Sequence, residues 1–160
     1  MYSNNSVLFS FGVGGHTAQM NRLAELLCDK LVDVNIVTVS DLKSKPNWSD
    51  RHYVTGELRE KKNHFQILTN IGPLKIISTL FKIKSENSIK CIVSTGPGIS
   101  ILVSLFFKFF GAKVIHIETW SRFETKSLTG RFMYHIADRF YIQNKSLSKI
   151  YPKGIYSGIL

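Results

Sequence analysis

The first residues able to do chemistry lie in Gly12-Val13-Gly14-Gly15-His16-Thr17, between a compact apolar run and a stretch with helical spacing. Glycines let a backbone turn sharply and approach a ligand closely. The helix N-terminus behind them offers free N–H groups and a positive dipole end, which suit phosphate. An imidazole placed there, His16, can accept a proton or donate a hydrogen bond beside a bound phosphate. The plainer reading of His16 is a polar turn residue, and Thr17 is suited to capping the helix. The segment is not a Walker loop, since no Gly-Lys-Ser/Thr follows, and not a full GxGxxG fingerprint. Asp41 stands after Val39-Ser40, already in the loop, so the ribose contact of a dinucleotide site is missing.

Two further segments repeat the arrangement of strand, polar or small residues, and helix. Ser94-Thr95-Gly96-Pro97-Gly98-Ile99-Ser100 is a second Gly-rich turn. Ile117-Glu118-Thr119-Trp120-Ser121-Arg122-Phe123-Glu124-Thr125 carries three charges among aromatics. Glu118, at a strand end, reads either as a buried partner of a neighbouring loop or as a general base or sugar-hydroxyl contact. Either Gly-rich turn alone could be purely structural. Both on one rim favour a binding crevice more than either does alone.

The elements that must bring these segments together follow from periodicity. Strands are predicted at 7–11, 34–39, 90–94, 114–118, 139–143 and 155–157, with shorter ones near 52–54 and at 64–68. Met20, Leu23, Ala24, Leu27 and Leu31 mark a helix over 17–31. Further helices are predicted at 73–84, 99–110 (with Gly111 as its C′ residue) and 127–137, with a helical turn at 146–150. Residues 41–63 read as a long polar loop. The alternation predicts an α/β domain with a Rossmann-like, mostly parallel sheet and helices on both faces. In such a sheet the loops after the strands share one rim, and ligands bind there.

Composition narrows the partners. The chain has 160 residues, 44% of them hydrophobic and 20% charged, which fits one globular domain and excludes a disordered chain or a coiled coil. Lys and Arg number 21 against 11 Asp and Glu, a net charge of +10 that favours polyanions: nucleic acid, anionic membrane or phosphorylated substrates. No nucleic-acid-binding signature appears, so nucleic acid is not expected as a partner. Cys28 and Cys91 sit in apolar periodic segments and read as core thiols of a reducing compartment. No metal-ligand spacing is present, and no metal or cofactor is expected. Leu105, Phe106, Phe107, Phe109 and Phe110 cover more than one face of a short helix, and Lys75, Lys82 and Lys84 punctuate the helix before it. Both helices could simply cover the core. Their combination of bulky apolar side chains and lysines also fits an anionic headgroup surface. The N-terminal residues carry no basic signal-peptide region, and 99–110 is shorter than the ~20 residues of a membrane span. The expected location is the cytoplasmic face of the cell membrane, peripherally held.

Gly14-Gly15-His16-Thr17, Ser94-Thr95-Gly96-Pro97-Gly98, the block from Ile117 to Gly130 and the tail Tyr151-Pro152-Lys153-Gly154-Ile155-Tyr156-Ser157-Gly158 together resemble the Alg14/PssD-type family. The resemblance runs from about Val7 to the C-terminus. Its Gly-Gly-His-Thr motif is shared with other GT-B enzymes, whereas the Glu-to-Gly block is more specific. Members are membrane-associated, non-catalytic subunits of split glycosyltransferases acting on polyprenyl-diphosphate-linked sugars, in bacteria for capsule and exopolysaccharide. The resemblance implies the acceptor-binding, N-terminal half of a GT-B fold, with the UDP-sugar held by a separate catalytic subunit. It implies that Gly14, Gly15, His16, Thr17, Gly96 and Gly98 hold the acceptor diphosphate and that Glu118 and Arg122 lie near the acceptor sugar. His16 and Glu118 are then the candidate proton acceptors. The tail 151–160, through Tyr151, Pro152 and Tyr156, would dock the catalytic subunit. The competing expectations are a self-sufficient small nucleotide-sugar enzyme and a basic nucleic-acid-binding module.

Overall fold

The alternation of apolar runs and helical periodicity produces a parallel α/β fold in the computed structural model, which describes residues 5–55 and 72–160. Its strands are β1 (Asn5–Ser10), β2 (Asn35–Ser40), β3 (Arg51–Val54), β4 (Ser88–Ser94), β5 (Lys113–Ile117), β6 (Arg139–Ile142) and β7 (Ile155–Tyr156). They form one sheet in the order β3-β2-β1-β4-β5-β6-β7, every neighbouring pair parallel. The helices are α1 (Gly15–Leu27), α2 (Gly72–Glu86), α3 (Ile99–Phe109) and α4 (Leu128–Ile136), with 3-10 turns at Cys28–Lys30 and Lys145–Lys149. Strand order reverses between β1 and β4, so their following loops flank the point where open α/β sheets bind ligands.

Alternation along the strands feeds two cores. Leu8, Val37, Ile92 and Val114 face one side, where α2 contributes Ile76, Leu80 and Ile83, α3 Val103 and Phe107, and α4 Met133. Phe9, Val93 and Ile117 face the other side and meet Met20 and Leu23 of α1. Trp48, from the loop after β2, stands edge-on to Phe9 with ring centroids 5.4 Å apart. Coverage is uneven: on the α1 side Cys91, Ile115 and Tyr141 are only partly buried. Both cysteines are free, and burial pushes each thiol pKa up.

Most predicted elements fall within a few residues of their expected bounds. The strand expected at 64–68 lies outside the described residues. α1 starts at Gly15 rather than Thr17, and its last turn tightens into the 3-10 turn. Gly111 follows α3 with φ 88°, and its N–H donates to the Lys108 carbonyl, closing the helix as expected. Asp138 ties β6 to β5: its carboxylate accepts the Val114 N–H at 2.8 Å and lies 3.2 Å from Lys108 Nζ. The Val114 N–H holds that carboxyl below its ordinary range, with help from Lys108 and Lys113. Among the described residues no helix is long and apolar enough to cross a membrane.

Candidate functional site

The two Gly-rich loops are built against each other. Gly14 begins α1 with φ 79°, a conformation glycine tolerates best. The ring of His16 then reaches across to β4's loop, where Nδ1 donates to the Thr95 carbonyl at 2.6 Å. A carbonyl only accepts, so Nδ1 carries a proton, and in the neutral tautomer this contact selects Nε2 holds the lone pair. Thr95 Oγ1 answers by donating to the His16 carbonyl at 3.3 Å. Gly96 lies flat on the imidazole: a Cβ there would come within 2.8 Å of His16 Cε1. A Cβ on Gly12 would meet Pro97 Cγ at 2.6 Å. The loop after β2 adds a third support, Asp41 Oδ1 accepting the Val13 N–H at 2.9 Å. Thr17 does not cap α1. Its hydroxyl donates to the Gly12 carbonyl at 2.7 Å and closes the loop across its chord.

α1 starts on Gly14 with no side-chain cap, so its first-turn N–H groups stay open to a ligand, whereas at the start of α3 the Ser100 and Ile101 N–H groups donate to the Pro97 and Gly98 carbonyls at 2.9 and 3.1 Å. α4 differs, because Ser127 Oγ accepts the Gly130 N–H at 2.8 Å. The open helix N-terminus of the rim is therefore that of α1, behind the first loop.

The loop after β5 is fixed from below. Glu118 is only 1% exposed. Its Oε1 accepts the Thr119 N–H at 2.9 Å, and its Oε2 accepts the Tyr151 hydroxyl at 2.7 Å. Burial and the carboxylate beside it both push the Tyr151 pKa up, so its hydroxyl remains a donor. Gly130 of α4 faces this pair, and a Cβ there would clash with Glu118 Oε2. Gln143 Nε2 donates to the Glu118 carbonyl at 2.8 Å, and Gln143 Oε1 accepts the Leu160 N–H at 2.9 Å. Asn144 Nδ2 donates to the carbonyls of Trp120 and Arg122 at 2.8 and 2.5 Å.

These loops enclose a cavity of about 210 Å³ lined by His16, Thr95, Gly96, His116, Glu118, Thr119, Ser121, Arg122, Ser127, Leu128 and Thr129. Arg122 is the only Lys or Arg among these lining residues. His116 is buried in its inner wall, with Nδ1 3.1 Å from Ser94 Oγ and the ring 5.3 Å from that of Phe140. Burial, reinforced by His16 nearby, pulls its pKa down to about 3. Among the described residues no group of acidic, His and Cys side chains is placed to hold a metal ion.

A family profile described as "Oligosaccharide biosynthesis protein Alg14 like" matches residues 7–160. The chain belongs to this Alg14-like family. A protein named UDP-N-acetylglucosamine transferase subunit ALG14 in Kluyveromyces lactis is 30% identical, over 98% of this chain and 79% of its own. The human protein of the same name is 24% identical, over 96% of this chain and 82% of its own. The fold is similar to MurG of Acinetobacter baumannii (TM-score 0.59, 14% identity, 88% of this chain) and to a UDP-N-acetylglucosamine 2-epimerase (TM-score 0.64, 13% identity, 92% of this chain). This chain spans 40% and 44% of those two structures.

Within this Alg14-like chain, His16, Gly96, Glu118 and Arg122 share one cavity, as the sequence led us to expect of a common rim. Gly14 and Gly15 are exposed just before His16, and Gly98 opens α3. Thr17 lies along a separate groove with Asn21 and Trp48. Pro152 and Tyr156 are exposed, but Tyr151 is wholly buried under Glu118 and has no side-chain surface to give a partner. The sequence patterns did not point to His116, Gln143 and Asn144, and they placed Ser94 and Gly130 in motifs without giving either side chain a role. One signal was present for the first: His116 and Glu118 are two apart, so a strand points both to one face.

Proposed function

We propose that this chain is the acceptor-binding, membrane-recruited subunit of a two-component glycosyltransferase, inactive without a donor-binding catalytic subunit. Its acceptor is a polyprenyl-diphosphate-linked sugar, in bacterial capsule or exopolysaccharide assembly. The observation that carries this reading is the rim itself. The uncapped N-terminus of α1 and Arg122 lie beside a small polar cavity, in a family whose members are named as transferase subunits. The open N–H groups suit the diphosphate, and the cavity suits one sugar ring. At about 210 Å³ it is smaller than the ~300–1,000 Å³ typical of sites for larger ligands.

The chemistry then divides between the subunits. The acceptor hydroxyl oxygen bonds to the anomeric carbon of the UDP-sugar, the bond from that carbon to the phosphate oxygen breaks, and UDP leaves with the electron pair. The hydroxyl proton passes to His16 Nε2, whose lone pair is set by the Nδ1–H bond to Thr95. Glu118 cannot serve as freely, because both its oxygens are already engaged. It positions the loop that carries Arg122.

Recruitment to lipid rests on the outer face of α2 and α3. Phe81 stacks edge-on to Phe106 at 5.1 Å, Phe106 to Phe110 at 5.1 Å, and Phe109 is 84% exposed. Lys84 Nζ sits 4.3 Å over the Phe110 ring, and Lys75 and Lys82 are exposed on α2. An apolar ridge edged with lysines on a +10 chain fits an anionic bilayer, where each basic residue contributes about 1 kcal/mol. The exposed tail residues Pro152 and Tyr156 supply a surface for the catalytic subunit. The test is transfer from a UDP-sugar to a lipid diphosphate acceptor. We expect none with the pure chain and transfer once the donor-binding subunit is added. Turnover by the pure chain, or micromolar UDP binding to it, would replace this reading with a self-sufficient enzyme.

A further inference from the structure

The inner wall of the cavity holds a hydrogen-bonding group that the division of labour above does not use. His116 comes from β5 and is 1% exposed, yet its ring helps to line the cavity. Nδ1 faces Ser94 Oγ at 3.1 Å. Nε2 has no partner among the described residues, and it is not among the side-chain atoms sealed away from space without one. It opens onto the cavity.

Ser94 decides which nitrogen carries the proton. Its hydroxyl is buried and accepts the Gly96 N–H at 3.3 Å. Its own hydrogen needs an acceptor, and His116 Nδ1 is the one in reach. Donation from Ser94 to Nδ1 puts the imidazole proton on Nε2. His16 is built the opposite way, with its proton on Nδ1 and its lone pair on Nε2. The cavity thus pairs a nitrogen that accepts with a nitrogen that donates.

We propose that His116 is a fixed, uncharged donor whose Nε2–H binds a neutral oxygen of the acceptor sugar, with Ser94 as the positioning residue that sets its tautomer. This rests on the acceptor-binding reading given above. Three observations favour a sugar oxygen over a phosphate. The buried Glu118 carboxylate shares the inner wall and repels an anion. Apart from His16, His116, Glu118 and Arg122, the polar lining residues all carry hydroxyls: Thr95, Thr119, Ser121, Ser127 and Thr129. The open N-terminus of α1 lies at the exposed Gly14 and Gly15, outside the cavity lining, which leaves Arg122 as its one Lys or Arg. Burial also keeps His116 from charging near neutral pH, so the donor does not switch off.

The test is long-range proton–nitrogen NMR on the full chain with labelled histidine. His116 should show the Nε2–H tautomer, and Ser94→Ala should shift it towards Nδ1–H. Millimolar glucose or N-acetylglucosamine should move the His116 signals, whereas inorganic pyrophosphate should move those of His16. In the reconstituted pair, His116→Phe should raise the acceptor KM about tenfold, the loss expected for one hydrogen bond. UDP-sugar KM should not change, and His116→Gln, which keeps a donor near the Nε2 position, should recover most of the loss. If His116→Phe does not fold, Ser94→Ala carries the test. An Nδ1–H tautomer at His116, sugars that leave its signals in place, or pyrophosphate that moves them instead overturns the proposal. A pair that stays silent in transfer while sugars still move His116 condemns the transferase reading and spares the donor assignment.

Discussion

Gly130→Ala adds one methyl group where the Glu118 pair has no room for it. The new Cβ would clash with Glu118 Oε2 and lie 2.6 Å from the Tyr151 hydroxyl oxygen and 2.7 Å from Glu118 Cδ. In an exposed helix the same change is stabilising by about 1 kcal/mol, because alanine is the better helix former. Here overpacking costs about 1–3 kcal/mol. Displacing the buried carboxylate from Tyr151 costs about 1.5–3 kcal/mol more, the range for a hydrogen bond to a charged group. The net is a loss of about 1.5–5 kcal/mol, and at about 2–4 °C per kcal/mol for a chain of this size Tm should fall by about 3–20 °C. Calorimetry on the variant checks the magnitude, and a double-mutant cycle checks the cause. With Glu118→Ala already present, the methyl group enters vacated space and its cost should shrink by about 2–3 kcal/mol. A Gly130→Ala protein as stable as wild type, or more so, would show that Gly130 behaves as an ordinary surface helix position and would refute the seat assigned to Glu118.

Three further outcomes are expected. The folded chain resists a proton on His116 until about pH 3, whereas the unfolded chain takes one near the ordinary 6.5. The unfolded state therefore binds more protons between these values. The His116 contribution is intact above pH 6.5 and falls with pH, by about 2 kcal/mol at pH 5, a slope that denaturant titrations should find missing in His116→Gln. His16→Asn keeps a donor for the Thr95 carbonyl but lacks the ring lone pair. The reconstituted transferase should lose about 10²–10⁴ in kcat while Tm stays within about 2 °C of wild type; an unchanged kcat removes His16 as proton acceptor. Phe81→Ser with Phe109→Ser should abolish co-sedimentation with phosphatidylglycerol vesicles. Each of Lys75, Lys82 and Lys84 changed to Gln should weaken it about fivefold, and equal binding to neutral vesicles would refute the electrostatic share.

The parts legible in the sequence are those that local patterning specifies. Strand and helix periods located β1, α1, β4 and α3, because each must bury a face and only one spacing does so. The Gly-rich turns announced themselves because a left-handed residue such as Gly14 has few other choices. The illegible parts are contacts between residues far apart in the chain. Glu118 and Tyr151 are 33 positions apart, and nothing near Tyr151 says that the turn at Lys145–Lys149 delivers its ring to the core rather than to a partner. Thr17 shows a second kind of loss. A threonine behind a glycine turn reads as a helix cap, but with Gly14 already in the cap position its hydroxyl found the Gly12 carbonyl instead.

The way the rim is held bears on whether this domain needs a partner to shape its site. A site that needed its partner for shape would leave its loops unsupported alone. Here each loop is fixed by another part of the same chain. Thr95 holds His16, Asp41 holds the turn at Val13, Asn144 and Gln143 hold the segment after β5, and the Leu160 N–H holds Gln143. The ordering entropy of these loops is met when the domain folds and not again when a ligand or partner arrives. On the proposed reading, the catalytic subunit then has only to bring the activated sugar to an acceptor already oriented, with one imidazole facing the hydroxyl to be deprotonated. Such preorganisation puts the partner's contribution mainly into kcat, through the donor it carries, and leaves acceptor affinity with this chain. Acceptor binding measured on the isolated domain should therefore match that of the assembled pair within a few-fold. A large gain on assembly would mean that the partner builds the site and that these intrachain supports are incidental to it.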